Sequence, residues 1–314
     1  MPEPEIRPYR AEDAELVVPL LRSLIPGEIQ TGPAVRHWVD SQPPRAQLQA
    51  WTAVLHDEIV GWANARLRWA IEADDSAGGW VGVLPEHRRR GFGSALWQLA
   101  EDHAVALDAR RFSSFAMEDD AEGRAFAARH GFSEGRRDQY WELDVAAAGL
   151  RNAKPPPGAE VVPLREVGDR EHELFDLYDA AHSDMPGDDT YTLEFDEWLV
   201  HCLGDPTLDL DVSSVVSVDG RPAAFAWINT DREGGLGENE MTGTHPHFRR
   251  RGLARLAKEA STRWAAEAGI RTLFTSNDTT NADMLALNDH LGYRPTHVLI
   301  DLTKDLDGGE ARPQ

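Results

Sequence analysis

The chain has 314 residues, 41% hydrophobic and 27% charged, an ordinary globular composition long enough for two domains of about 150 residues each. Its formal net charge of −22 argues against nonspecific nucleic-acid binding, which needs a basic surface, and suits small cationic molecules better. No apolar run approaches the roughly 18 residues of a membrane span, no signal-peptide core opens the chain, and the single cysteine, Cys202, excludes an internal disulfide and a cysteine metal site. A cytoplasmic protein, monomer or homodimer, with neither nucleic acid nor membrane as partner is expected.

The first half begins with a short strand at Glu5–Pro8 and a helix carrying Leu16, Val17, Leu20, Leu21 and Leu24 at helical spacing. Ala50–Leu55 and Ile59–Leu67 flank Asp57-Glu58 as a hairpin. A strand then runs into Val81-Gly-Val-Leu-Pro-Glu-His-Arg-Arg-Arg-Gly-Phe-Gly93, and the following helix places Phe92, Ala95, Leu96, Leu99 and Ala100 on one face. Arg111–Met117 reads as a strand, followed by a short helix and a last strand at Tyr140–Val145. A linker over 146–158, with prolines at 155, 156 and 157, sets the boundary between domains 1–150 and 151–314.

The second half repeats this order. It has a strand at Val161–Leu164, a helix with Leu174, Leu177, Tyr178 and Ala181, and a hairpin of Ser213–Val218 and Pro222–Asn229 around Asp219-Gly220. Thr242-Gly-Thr-His-Pro-His-Phe-Arg-Arg-Arg-Gly-Leu-Ala254 follows, then a helix with Leu253, Leu256, Ala257, Ala260 and Trp264, and strands at Thr272–Ser276 and Thr296–Leu302. The two arginine motifs stand at a constant offset of 161 residues, as do Gly131-Phe132 and Gly292-Tyr293, so the chain is a duplicated module. The fold class is α/β (α+β): two tandem domains, each a mixed, largely antiparallel sheet covered by helices.

A strand entering Arg-x-x-Gly-x-Gly/Ala and then a helix is a device for holding a diphosphate. The first helical turn has amide N–H groups without partners, the helix dipole adds positive potential, and glycine admits close backbone approach. The candidate cradles are Arg88, Arg89, Arg90, Gly91, Phe92 and Gly93, and again Arg249, Arg250, Arg251, Gly252, Leu253 and Ala254. Neither is a Walker loop or a Rossmann fingerprint.

These two motifs, with the downstream Asn277-Asp-Thr-Thr-Asn-Ala-Asp-Met-Leu-Ala-Leu-Asn-Asp-His-Leu-Gly-Tyr293, resemble the GCN5-related N-acetyltransferase superfamily over nearly the whole chain, in the tandem arrangement of actinobacterial double-domain acetyltransferases. The resemblance implies acetyl-CoA as acyl donor, no metal, and a primary amine as acceptor, attacked directly within a ternary complex. It implies that the acyl-pantetheine arm lies along Val81, Gly82 and Val83 or Thr242, Gly243 and Thr244, where a main-chain N–H polarises the thioester carbonyl. Asn281 is expected at the cofactor. Family members often carry a base glutamate eight residues before the motif proline: Glu238 in the second half, with Glu240 two residues on and on the same strand face, but Ala77 in the first. The second domain is therefore expected to be catalytic, and the first degenerate with its CoA loop retained. Residues 232–240 also read as a loop in which Glu238 is simply solvated.

The family's leaving-group tyrosine is replaced by Asn288, which donates a hydrogen bond but is no acid near neutral pH, leaving Tyr293, Ser276 or water for that role. The resemblance implies that the loop carrying Asp184 and Asp188 lines the acceptor pocket, where they would hold a cationic amine of a small polar substrate such as an amino sugar, antibiotic or mycothiol precursor; a plain exposed loop is the equal alternative. His245 and His247 share a face at metal-ligand spacing but have no third ligand in sight, so no metal is expected. The alternative to an enzyme is an acyl-CoA-binding sensor or scaffold without turnover.

Overall fold

The computed structural model describes residues 5–71, 75–150, 155–183 and 192–306. These fall into two compact units, one formed within Met1–Pro26, Gln30–Arg137 and His297–Gln314, the other within Gly27–Ile29 and Asp138–Thr296.

In the first unit, β1 (Glu5–Pro8), β2 (Gln49–Leu55), β3 (Glu58–Leu67) and β4 (Ser76–Val83) pair antiparallel in that order. His56 and Asp57 turn the β2–β3 hairpin at φ 52° and 64°, the two left-handed residues of a tight primed turn. Helix α1 (Asp13–Leu24) and helix α2 (Gly32–Asp40, capped by the Thr31 side chain on the Ala34 N–H) cover one sheet face, where Val17, Leu20, Leu21 and Val35 meet Ile59 and Trp62. Helix α3 (Phe92–Ala106) covers the other, packing Phe92, Leu96 and Trp97 on Val60, Ala63 and Phe112. The arrangement follows the sequence pattern: β3 is apolar on both faces because a helix layer lies on each. β5 (Arg111–Met117) and α4 (Ala121–Arg129) follow.

The second unit repeats the plan with β7 (Ala159–Pro163), α5 (Glu171–His182), α6 (Phe195–Trp198, continued by a π turn at Leu199–Leu203), β8 (Ser214–Val218), β9 (Arg221–Asp231), β10 (Leu236–Thr244), α7 (Leu253–Glu267), β11 (Thr272–Asp278) and α8 (Ala282–Leu291). Asp219 and Gly220, at φ 50° and 79°, turn β8 into β9 as the Asp-Gly pair predicts. Leu253, Leu256 and Ala257 of α7 pack on Val216, Ala224 and Ala226. Tyr178, Phe225, Trp198 and Trp227 form an aromatic cluster among α5, α6 and β9.

The closing strands differ from the sequence expectation of one at the end of each half. β6 (Ser133–Asp144) pairs Asp138–Asp144 antiparallel with β11 and so closes the sheet of the second unit. β12 (Arg294–Asp305) pairs Leu299–Asp305 with β5 and closes the sheet of the first. The strands are duplicates at the same offset of 161, so no local pattern distinguishes which edge each should join.

Candidate active site

The two arginine loops have the same backbone. Arg89 and Arg250 adopt φ of 62° and 61°, and Gly91 and Gly252, the N-caps of α3 and α7, adopt 90° and 74°. Left-handed residues alternating with ordinary ones turn successive N–H groups to one side, which makes an anion-binding concavity ahead of a helix N-terminus. A Cβ built at Gly91 or Gly252 would meet nothing within 4 Å, so space opens over both turns. Phe92 and Leu253 are buried core residues and contribute main chain alone. Arg90, Arg250 and Arg251 are exposed, and the first arginine of each triplet ties back to its strand, Arg88 Nε to the Val83 carbonyl and Arg249 Nε to the Thr244 carbonyl, each at 3.2 Å.

Beside each loop the sheet parts. β4 pairs parallel with β5 over Ser76–Gly78 alone, and β10 with β11 over Leu236–Glu238 alone. Beyond these points Val81–Val83 and Thr242–Thr244 run on along an edge that an extended ligand can join. Gly82 and Gly243 have a packing reason as well. A Cβ at Gly82 would lie 2.3 Å from Trp80 and one at Gly243 2.6 Å from Ala181 and Phe225.

The parting differs between the units. β4 keeps a regular register against β3, whereas β10 carries a bulge against β9 between Asn239 and Met241. Glu240 is the extra residue, so the strict alternation that would set Glu238 and Glu240 on one face is broken there. Buried Asn239 holds the bulge: its amide donates to the Trp227 and Met241 carbonyls at 3.0 and 3.1 Å, and its Oδ1 accepts the Thr242 hydroxyl at 2.9 Å.

At the start of the parting stands Glu238, in a strand and only 8% exposed, so the loop-and-solvent reading of this segment does not hold. Ile29 donates its N–H to Glu238 Oε2 at 3.1 Å. The Tyr140 hydroxyl reaches Glu28 Oε1 at 3.4 Å. Burial, then the charges of Glu240 and Glu28, push the Glu238 carboxyl well above the usual carboxylate range, and the Ile29 N–H only partly opposes this. Glu240 is exposed as a residue, but desolvation of its carboxyl, then the charge of Asp205, raises it too. Tyr140 is pushed up by burial and by Glu28, Glu238 and Glu240, so it stays a protonated donor. Tyr140, Glu28 and Ile29 carry no motif; they come from β6 and from residues 27–29, and only chain folding assembles them with Glu238.

Asn288 and Tyr293 belong to a second cluster. Lys258 Nζ donates to Asn288 Oδ1 at 2.8 Å, Asn288 Nδ2 donates to Asn277 Oδ1 at 2.7 Å, and the ammonium lies 5.1 Å from the Tyr293 ring centroid. Burial raises the Tyr293 hydroxyl above its ordinary value. Lys258 had a readable signal: it is one of three lysines in the chain, at the place of Trp97 in the duplicate. Asn281 caps α8 by accepting the Met284 N–H at 3.3 Å. His245 Nδ1 accepts the His247 N–H at 3.3 Å. Asp184 and Asp188 lie outside the described residues.

In the first unit a cavity of about 300 Å³ lies between β4, β5 and the arginine loop, lined by Val81, Gly82, Val83, Arg88, Gly91 and Gly93 among others. Asp120 caps α4 through the Gly123 N–H and forms a two-pronged pair with Arg88 at 2.9 and 3.0 Å. Trp80 and Phe115 stack with centroids 5.5 Å apart. Ala77 is fully buried at the position matching Glu238.

The sequence pattern of the Acetyltransferase (GNAT) family matches residues 20–132 and 171–293. A mycothiol acetyltransferase of Kineococcus radiotolerans is 30% identical over 64% of this chain, and the chain spans 64% of that protein's length. A tandem GNAT protein from the clavulanic acid biosynthesis pathway superposes with a TM-score of 0.75 at 19% identity, covering 98% of this chain and all of the other. A GCN5-related N-acetyltransferase from Sphaerobacter thermophilus gives 0.72 at 16% identity over 99% of both chains. The chain belongs to the GNAT acetyltransferase family, with its pattern present twice.

Proposed function

We propose that this family member moves an acetyl group from acetyl-CoA to the primary amine of a small polar molecule, that the second unit does the chemistry, and that Glu238 is the general base. The observation that carries the reading is a buried carboxylate with a raised pKa at the point where β10 leaves β11, in the unit whose loop also offers an open diphosphate cradle. Bound acetyl-CoA would supply an activated acyl thioester. Main-chain amides of Arg249–Ala254 would hold its diphosphate and the free edge of Thr242–Thr244 its amide-bearing arm.

An amine attacks only as the neutral base. Ionised Glu238 takes the nitrogen's proton, directly or through one water, and its raised pKa brings it nearer the working pH, where a base is most effective. Glu28 and Glu240 add negative charge around it and favour a cationic acceptor. Protonated Tyr140 is available to orient the acceptor or Glu28. Cys202 is unsuited to an acyl-enzyme, since desolvation pushes its thiol up to about 12. An amino sugar, an aminated antibiotic or a mycothiol precursor fits these requirements.

The first unit supports the other reading, binding without turnover. It has a cavity and an arginine loop, but Ala77 replaces the base and Asp120 occupies Arg88. The test is thiol release from acetyl-CoA over a panel of amines. Glu238→Gln is expected to lose roughly 10²–10⁴-fold in turnover while CoA binding persists; unchanged turnover removes the assignment.

A further inference from the structure

The duplicated units differ most in one buried cluster. Lys258, Asn277, Asn288 and Tyr293 stand where the first unit has Trp97, Ala116, Ala127 and Phe132. All four of the latter line the first unit's cavity. By the duplication, the polar cluster stands at the equivalent positions of the second unit, with Lys258, Asn288 and Tyr293 buried there. Two aromatic and two aliphatic side chains are replaced by an ammonium, two amides and a phenol.

Among the described residues the ammonium has no carboxylate in ion-pair contact. Lys258 is 2% exposed, and Asn288, itself fully buried, is its hydrogen-bond partner among the described residues. Asn288 is held in turn by Asn277, which fixes its carbonyl toward Lys258. The charged groups beside it on α7, α8 and β11 are engaged elsewhere or face solvent, and burial alone, with no neighbouring charge, lowers the amine. On α7, Glu259 is 3.0 Å from Arg255. On α8, Asp289 and His290 are exposed. On β11, Asp278 binds the Thr280 N–H and hydroxyl. Tyr293 presents its ring face, which favours the cation. Burial with no carboxylate in attendance pulls the amine down to about 7. A cation buried unpaired in a packed helix is costly, whereas an apolar residue such as the Trp97 of the first unit would fill the place without charge.

We propose that Lys258, held by Asn288, is a positioning residue that places a positive charge behind the wall of the second cleft and so favours an anion at the thiol end of the bound ligand. The proposal rests on the acetyltransferase reading above. In that reaction the nitrogen–carbon bond forms, the amine's proton passes to Glu238, and the carbon–sulfur bond breaks with its electron pair on sulfur. A nearby cation stabilises the sulfur anion until solvent protonates it.

The chain's three lysines, Lys154, Lys258 and Lys304, make the test direct. The intact protein is prepared with isotope-labelled lysine, and the side-chain signals are followed by NMR against pH, alone, with CoA, and with desulfo-CoA. Lys258→Met assigns the signal by its loss; Lys154→Arg and Lys304→Arg assign it by elimination if that variant does not fold. The Lys258 signal is expected to titrate near neutrality, and CoA is expected to move its midpoint upward by about one pH unit relative to desulfo-CoA. Equal midpoints with both ligands, while calorimetry shows both bind, would overturn this proposal and leave the acetyltransferase reading standing. Failure of CoA to bind at all would overturn both.

Discussion

Glu238→Gln keeps the length of the side chain and an oxygen to accept the Ile29 N–H, but removes a titrating group. The wild-type carboxyl sits 8% exposed among the charges of Glu240 and Glu28, with one backbone N–H in compensation, so its folded pKa lies above the unfolded one. Between those two values the folded chain holds a proton that the unfolded chain has released. The stabilisation from the raised pKa is complete below the unfolded pKa of about 4.3 and is lost as pH rises through the folded one. One proton corresponds to a slope of about 1.4 kcal/mol per pH unit. Glutamine has no such dependence, so the variant should gain on the wild type as pH rises and the difference should level off above the folded midpoint. The same substitution should depress turnover. Urea denaturation of both proteins at steps between about pH 5 and 8, with turnover measured alongside, reads both effects. Parallel stability curves across that range would refute the claim that Glu238 is desolvated and near its neighbours' charges. A gain in stability without loss of turnover would place the base elsewhere.

Asp13 is 1% exposed; desolvation raises its carboxyl, but the Arg7 hydrogen bonds at 2.6 and 2.8 Å and the Arg10 N–H outweigh this and leave it lowered. Asp13→Ala should cost about 3 kcal/mol at neutral pH by stranding Arg7, and the wild-type advantage should vanish as pH falls through the folded pKa of Asp13; denaturation at several pH values checks this. Asp120→Asn should retain the α4 cap, as Asn281 does for α8, lose about 1 kcal/mol from a partly exposed pair, and raise the first unit's affinity for ADP several-fold by removing one of the two carboxylates beside Arg88, Glu122 remaining at 3.6 Å, read by calorimetric titration. Cys202→Ala should leave turnover within about twofold, because a thiol held near 12 supplies no thiolate; a larger loss would revive a covalent step.

Repetition made much of the molecule legible in advance. Arg88–Gly93 and Arg249–Ala254 announced their loops because a tight turn ahead of a helix needs left-handed residues at fixed positions, a local requirement met within a few residues. The Asp219-Gly220 hairpin was readable for the same reason, whereas the first hairpin turns at His56-Asp57, one residue before the expected Asp57-Glu58; the asymmetry between Ala77 and Glu238 needs only the offset. The bulge at Glu240 was not readable. It depends on the register of β10 against β9 and on Asn239 reaching the Trp227 carbonyl across that pair.

The amino-acid order thus determined that there are two copies, where each makes its arginine-rich turn ahead of a helix, and which copy kept a carboxylate, because these are properties of short segments or of a comparison between them. Only the tertiary structure decided which closing strand joins which sheet, since β6 and β12 are equivalent by repetition and just their partners β11 and β5 tell them apart. It alone brought the Ile29 N–H, Glu28 and Tyr140 to Glu238, from segments far apart in the chain whose contacts leave no trace in local pattern. It also turned Lys258 inward. A lysine on a helix reads as solvent-facing, and its burial follows from the packing of α7 against the sheet and α8 rather than from its own chemistry.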